Sequence, residues 1–210
     1  MKNKAGALTV GVIGLFVVLG CSKLAEIANK ADKPKTGDDS RVFTLAGKEW
    51  SNFALEQTDI KVDLPGKPTD KTPPSGMLPP GYKEVFSAMH AWSYDDKDFQ
   101  SSFTELALTG KRQWTIKEIA DIFMTAIKRQ VSNLNYTLDI KSDSNAKYNG
   151  SFSKNARNYD LRGCCIYKKG KDAHVWAVIT LIPKDNADAQ SASDRMITSA
   201  VLGSSGEECE

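Results

Sequence analysis

Ile60, Val62 and Leu64 alternate with Lys61 and Asp63 and stop at Pro65-Gly66, which predicts a half-buried strand closed by a turn. Over residues 82–94 the period is again two. Phe86, Ala88, His90, Trp92 and Tyr94 fall on one face, and Val85, Met89 and Ala91 on the other. Asp95-Asp96-Lys97-Asp98 then predicts a polar turn, with residues 99–108 returning as the second arm of a hairpin. Between these strands lie Pro68, Pro73, Pro74, Pro79 and Pro80, and the stretch 67–81 is expected to be an extended surface loop because proline lacks the amide hydrogen that a ladder needs.

Over residues 115–134 the period changes to that of a helix. Ile116, Ile119, Ala120, Phe123, Ile127, Val131 and Leu134 make one stripe, Lys117, Asp121, Lys128 and Arg129 face outward, and Thr115 with Glu118 supplies a capping box. Tyr136, Leu138 and Ile140 alternate as a strand, and Asn149-Gly150 reads as a turn. Residues 156–167 and 174–182 form a second hairpin around Lys169-Gly170-Lys171-Asp172, and a second helix follows with Ala189, Ala192, Met196, Ile197 and Ala200 inward, ending at Gly203.

The strand 174–182 is apolar on both faces, with Val175, Ala177, Ile179 and Leu181 on one and Trp176, Val178 and Ile182 on the other. An antiparallel sheet normally leaves one face wet, so this strand demands cover on both sides. The expected fold is α+β, an α/β/α sandwich in which a mainly antiparallel sheet is flanked by the two helices.

The start of the chain has a different pattern. Lys2 and Lys4 precede an uncharged stretch from Ala5 to Gly20, the order of a secretory signal peptide. Sixteen helical residues reach about 24 Å, short of the ~30 Å core of a bilayer. The leader closes on Val18-Leu19-Gly20-Cys21, which resembles the lipobox of bacterial lipoproteins. That resemblance implies cleavage before Cys21, a diacylglycerol on its thiol and attachment to a membrane without crossing it, two or three acyl chains sufficing for stable anchoring. Ser22 is not acidic, which by the same resemblance implies an outer membrane where the cell has one. The Lys-, Asp- and Ala-rich stretch up to Ser40 reads as a tether. The expected organisation is a signal peptide over 1–20, a lipidated tether over 21–40, one folded domain over 41–203 and an acidic tail over 204–210.

Charge narrows the partners. The chain has 210 residues and a formal net charge of +2, but from Cys21 onward basic and acidic residues balance at 26 each. A neutral domain lacks the basic excess that displaces counterions from nucleic acid, so no nucleic-acid partner is expected.

The order of elements, opened by Ile60-Lys61-Val62-Asp63-Leu64-Pro65-Gly66-Lys67-Pro68, resembles the PsbP-like superfamily over about residues 53–202. Its members include extrinsic photosystem subunits, a Ran-binding nuclear transport factor and bacterial envelope proteins. The resemblance implies a protein-binding or assembly role without a shared catalytic set, and so carries no active-site residues onto this chain.

Candidate chemistry is sparse. Cys164 and Cys165 are neighbours on a strand and point to opposite faces, so one of them can pair with Cys209 in an exported compartment; the alternative is one small buried hydrophobe and two unpaired thiols. His90 and His174 have no ligand spacing with these thiols, and Asp95, Asp96 and Asp98 lack the glycine and distal glutamate of a calcium loop, so neither metal nor cofactor is expected. No phosphate-binding glycine loop, dinucleotide fingerprint or nucleophile elbow occurs. The expectation is a non-enzymatic envelope protein bound to the membrane through Cys21 and to another envelope protein, set against a thiol-dependent hydrolase or redox enzyme using Cys164 or Cys165 with a histidine. The loop 67–82, with Met77 and Leu78 as apolar contacts and Tyr82 at its base, is the candidate docking site, against a reading as a passive crossover.

Overall fold

A computed structural model describes residues 42–74, 85–110, 112–131, 133–154, 156–203 and 206–209. Met77, Leu78, Tyr82 and Cys21 lie outside the described residues. Two antiparallel sheets carry the fold. The larger has seven strands in the order β3 (Thr69–Asp70), β4 (Phe86–Asp96), β5 (Phe99–Leu108), β9 (His174–Pro183), β8 (Arg157–Lys168), β7 (Asn145–Lys154) and β6 (Asn135–Ile140). The smaller has four, β1 (Ser51–Ala54), β2 (Ile60–Leu64), β10 (Val201–Leu202) and β11 (Glu207–Glu208). Helices α1 (Ile116–Gln130) and α2 (Ala187–Ser199) complete the α+β architecture.

The alternation of β9 decides the layering. Val175, Ala177, Ile179 and Leu181 pack with Ile119, Phe123 and Ile127 of α1 in one core. Trp176, Val178 and Ile182 pack with Ala189, Ala192 and Met196 of α2 in the other. The second face is not covered by a helix alone: Ile60, Val62 and Leu64 of β2 and Leu202 of β10 enter the same core, so the small sheet shares that layer with α2. Helix α1 begins as its capping box requires, with Glu118 N donating to Thr115 Oγ1 at 3.2 Å and Thr115 N donating to Glu118 Oε2 at 2.9 Å. It stops at Gln130, before the expected end, yet Val131 and Leu134 in the exit segment remain buried in the α1-side core.

Three local readings are corrected. Phe86 lies with Met89 and Ala91 against α1, not with Trp92 and Tyr94, because the register of β4 on β5 shifts between Phe86 and Ala88. One extra residue at a bulge reverses the side-chain parity beyond it. Asn149-Gly150 is not a turn but the middle of β7, where a Cβ on Gly150 would come within 3.0 Å of Asn135 O and 3.1 Å of Tyr136 Cβ. The glycine is there for close approach of β6, and the chain reverses instead at residues 141–144. Within the proline-rich segment, Thr69–Asp70 forms a short edge strand on Ser93 and Trp92, the ladder position that the intervening prolines leave available.

Candidate functional site

The thiols divide between the two cores as adjacent strand positions must. Cys164 faces the α2 layer and is bonded to Cys209, with Cα atoms 5.9 Å apart. Cys165 faces α1 and is free and fully buried. Burial pushes the Cys165 thiol up to about 12, only partly offset by the Tyr148 hydroxyl and the Ala146 backbone beside it. A buried, protonated thiol is a packing group rather than a nucleophile.

Both histidines lie on the other side of the sheet from Cys165. His90 on β4 is directly opposite Glu105 on β5, which is directly opposite Trp176 on β9, and Trp176 belongs to the α2-side core. His174 precedes Trp176 by two residues and stacks on its indole at 5.5 Å between centroids. Neither imidazole can therefore act on Cys165 within this sheet.

The two histidines bracket Glu105, a carboxylate the sequence reading did not single out. Its side chain is buried, Oε1 lies 3.0 Å from His174 Nδ1, and Oε2 accepts the Asp59 backbone N–H at 2.8 Å. Asp59 O in turn accepts Gly203 N–H at 2.8 Å. Glu105 thus ties the start of β2, and through it the end of β10, to the middle of the large sheet. His90 Nδ1 and Trp176 Nε1, which share this face, are buried without hydrogen-bond partners. The sequence signal was available: Phe103, Glu105 and Ala107 share one face of β5, so a glutamate at that alternation is an inward charge.

A shallow cleft near the junction of β4, β5 and the start of α1 is lined by Val85, Phe86, Leu108, Trp114, Ile122 and Phe123. Its walls are wholly apolar and place no polar group to orient a reacting substrate. Asp95, Asp96 and Asp98 do not converge either: Asp96 pairs with Lys48, Asp98 with Arg157 and the Phe43 N–H. Among the described residues no group of three His, Cys, Asp or Glu side chains is placed to hold a metal ion, and no helix is long and apolar enough to cross a membrane.

No family model matches the chain, and no curated protein matches it. Among solved structures it is similar to the Ran-binding protein Mog1p of Saccharomyces cerevisiae, with 12% identity and a TM-score of 0.41 over 71% of this chain and 85% of that one. It is also similar to LpqN of Mycobacterium tuberculosis, described as involved in cell envelope biogenesis, with 13% identity and a TM-score of 0.36 over 73% of this chain and 95% of that one. A Pseudomonas aeruginosa protein of unknown function matches at 10% identity and a TM-score of 0.31, over 65% of this chain and 85% of that one.

The geometry of Glu105 makes it a structural junction. Glu105→Ala leaves the Asp59 N–H without its acceptor in a part-buried position, and is expected to cost about 1–3 kcal/mol, whereas Glu105→Gln keeps an acceptor there and should cost less. Chemical denaturation of the two variants measures the difference. Equal losses would mean that the carboxylate's charge toward His174, and not the bond to Asp59, is what matters.

Proposed function

We propose that this chain is a lipid-anchored binding or assembly protein of the cell envelope, without catalytic activity of its own. The observation that carries the reading is the leader closing on Val18-Leu19-Gly20-Cys21. An element order that resembles the PsbP-like superfamily, whose members mostly bind or assemble, points the same way. The Cys164–Cys209 disulfide is compatible with an exported compartment, where such bonds persist.

Against a thiol-dependent hydrolase or redox enzyme stands the placement of the sulfurs. Cys164 is committed to Cys209, and Cys165 is buried on the face opposite His90 and His174. Among the described residues no thiol lies beside a histidine, so the nucleophile–base pair that such an enzyme needs is not assembled there.

Intact-mass analysis of the protein extracted from membranes should find a chain beginning at Cys21 and carrying a diacylglycerol there. Cys21→Ser should move the protein from the membrane to the soluble fraction, because the tether and a neutral domain supply no second anchor. Retention of Met1, or an unmodified Cys21, sinks the reading.

A further inference from the structure

Little besides a covalent bond secures β11. Among the described residues it pairs only on β10, over Val201↔Glu208 and Leu202↔Glu207. The turn that leads into it is bounded by Gly203 and Gly206, at φ +76° and +71°, with Gly206 N–H donating to Gly203 O at 3.1 Å. Glycine holds that left-handed backbone without strain, and neither residue carries a side chain that would pin the segment. Directly after β11, Cys209 enters the α2-side core and is bonded to Cys164.

The two sulfurs of that bond have unequal surroundings. Cys164 sits inside β8, opposite Lys147 of β7 on one side and Val178 of β9 on the other, and is fully enclosed. Opening β8 to reach it would break the large sheet. Cys209 is 5% exposed and follows a ladder of two pairs, so fraying of β11 alone uncovers its Sγ. We propose that Cys209 is a thiol-exchange site, at which a dithiol reductant opens the Cys164–Cys209 bond and releases β11 from a domain that otherwise stays folded.

A thiolate of the reductant attacks Cys209 Sγ, the S–S bond breaks, and Cys164 leaves as a thiolate that takes up a proton. The second thiol of the reductant then attacks the mixed disulfide, and Cys209 leaves as a thiol. Two electrons and, net, two protons pass to the protein, and the reductant ends as its own disulfide. Cys165 does not compete. It lies on the α1 side of the sheet, and burial pushes its thiol up to about 12, so almost no thiolate forms there. Once the bond is gone, two ladder pairs do not retain the strand, and the small sheet goes from four strands to three.

Glutathione, a monothiol that forms the mixed disulfide without resolving it internally, identifies the sulfur attacked. The oxidised full-length protein is held briefly with glutathione in the absence of denaturant, quenched with acid, alkylated in denaturant and peptide-mapped. Mapping reads each cysteine separately, whether or not Cys21 carries a lipid. The adduct on Cys209 should exceed that on Cys164 about tenfold or more, following access to the two sulfurs. Reduction by dithiothreitol should proceed at a rate flat in urea up to the foot of the unfolding transition, since fraying of β11 exposes little surface. In the reduced protein, which keeps its thermal transition, a glutamate-specific protease should cut after Glu207 or Glu208; in the oxidised protein the β11 ladder should protect both. An adduct shared equally or favouring Cys164, a rate that climbs exponentially with urea, or no reduction below the unfolding transition would each overturn the proposal. So would loss of the thermal transition on reduction, or continued protection of Glu207 and Glu208 after it.

Discussion

Phe43→Ala is expected to lower stability by about 3–5 kcal/mol, the usual cost of deleting a fully buried phenylalanine. Phe43 is 1% exposed and its ring stacks on Phe99 with centroids 4.9 Å apart. Its backbone is held as firmly as its ring: the N–H donates to Asp98 Oδ1 and the C=O accepts from Asn186 Nδ2, both at 2.9 Å. Leu45 N–H and the Thr44 hydroxyl both donate to Asp188 Oδ2, at 2.8 and 3.1 Å. This entry segment therefore clamps the β4–β5 turn to the first turn of α2, where an acidic side chain also suits the helix dipole. The loss should register as a lower urea midpoint with little change in slope. A loss under about 1 kcal/mol would place Phe43 outside the cooperative core.

The entry segment shows where sequence patterning runs out. Phe43 sits among Arg41, Val42 and Thr44 without a helical or strand period, so nothing in its surroundings marks it as core. What makes it core is distant: Phe99 is 56 positions later and Asn186 lies at the far end of the chain. By contrast β2 and α1 were legible from a single apolar period, β9 from a run apolar on both faces, and β5 as the arm that returns from the polar turn at residues 95–98. The two-sided apolar character of β9 gave the layering itself.

The missed elements share a physical cause. In β7 only Ala146, Tyr148 and Phe152 are buried, alternating with Lys147, Asn149, Ser151 and Ser153, and Gly150 interrupts the apolar positions because β6 passes too close for a side chain. The small sheet was hidden because β10 and β11 are two residues each and acquire strand geometry only by pairing on β2 or on each other. Of the candidate site, the opposite facing of Cys164 and Cys165 followed from strand alternation. The Glu105 junction did not, since its partners Asp59 and His174 reach it through tertiary contacts at separations of 46 and 69 residues.

Replacing both Cys164 and Cys209 with alanine is expected to cost about 2–4 kcal/mol. The bond joins residues 45 positions apart, and closing a loop of that length in the unfolded chain corresponds to about 4 kcal/mol in the chain-entropy account. Alanine at both sites avoids burying a hydroxyl where Cys164 is fully enclosed and Cys209 is 5% exposed, so the loss reports the crosslink with only a small packing term. Because the crosslink restrains mainly the unfolded state, its removal should also raise the denaturant slope, unlike Phe43→Ala. Locally, among the described residues β11 pairs only on β10, through Val201↔Glu208 and Leu202↔Glu207, and two residue pairs do not hold a strand unaided. Amide exchange at Val201 and Leu202 should therefore accelerate in the double variant even where the rest of the fold is intact. Thiol titration of the denatured, unreduced domain beyond Cys21 should find one reactive group, Cys165. Three reactive thiols, with no stability change in the double variant, would mean that the tail is held by β10 and apolar packing alone.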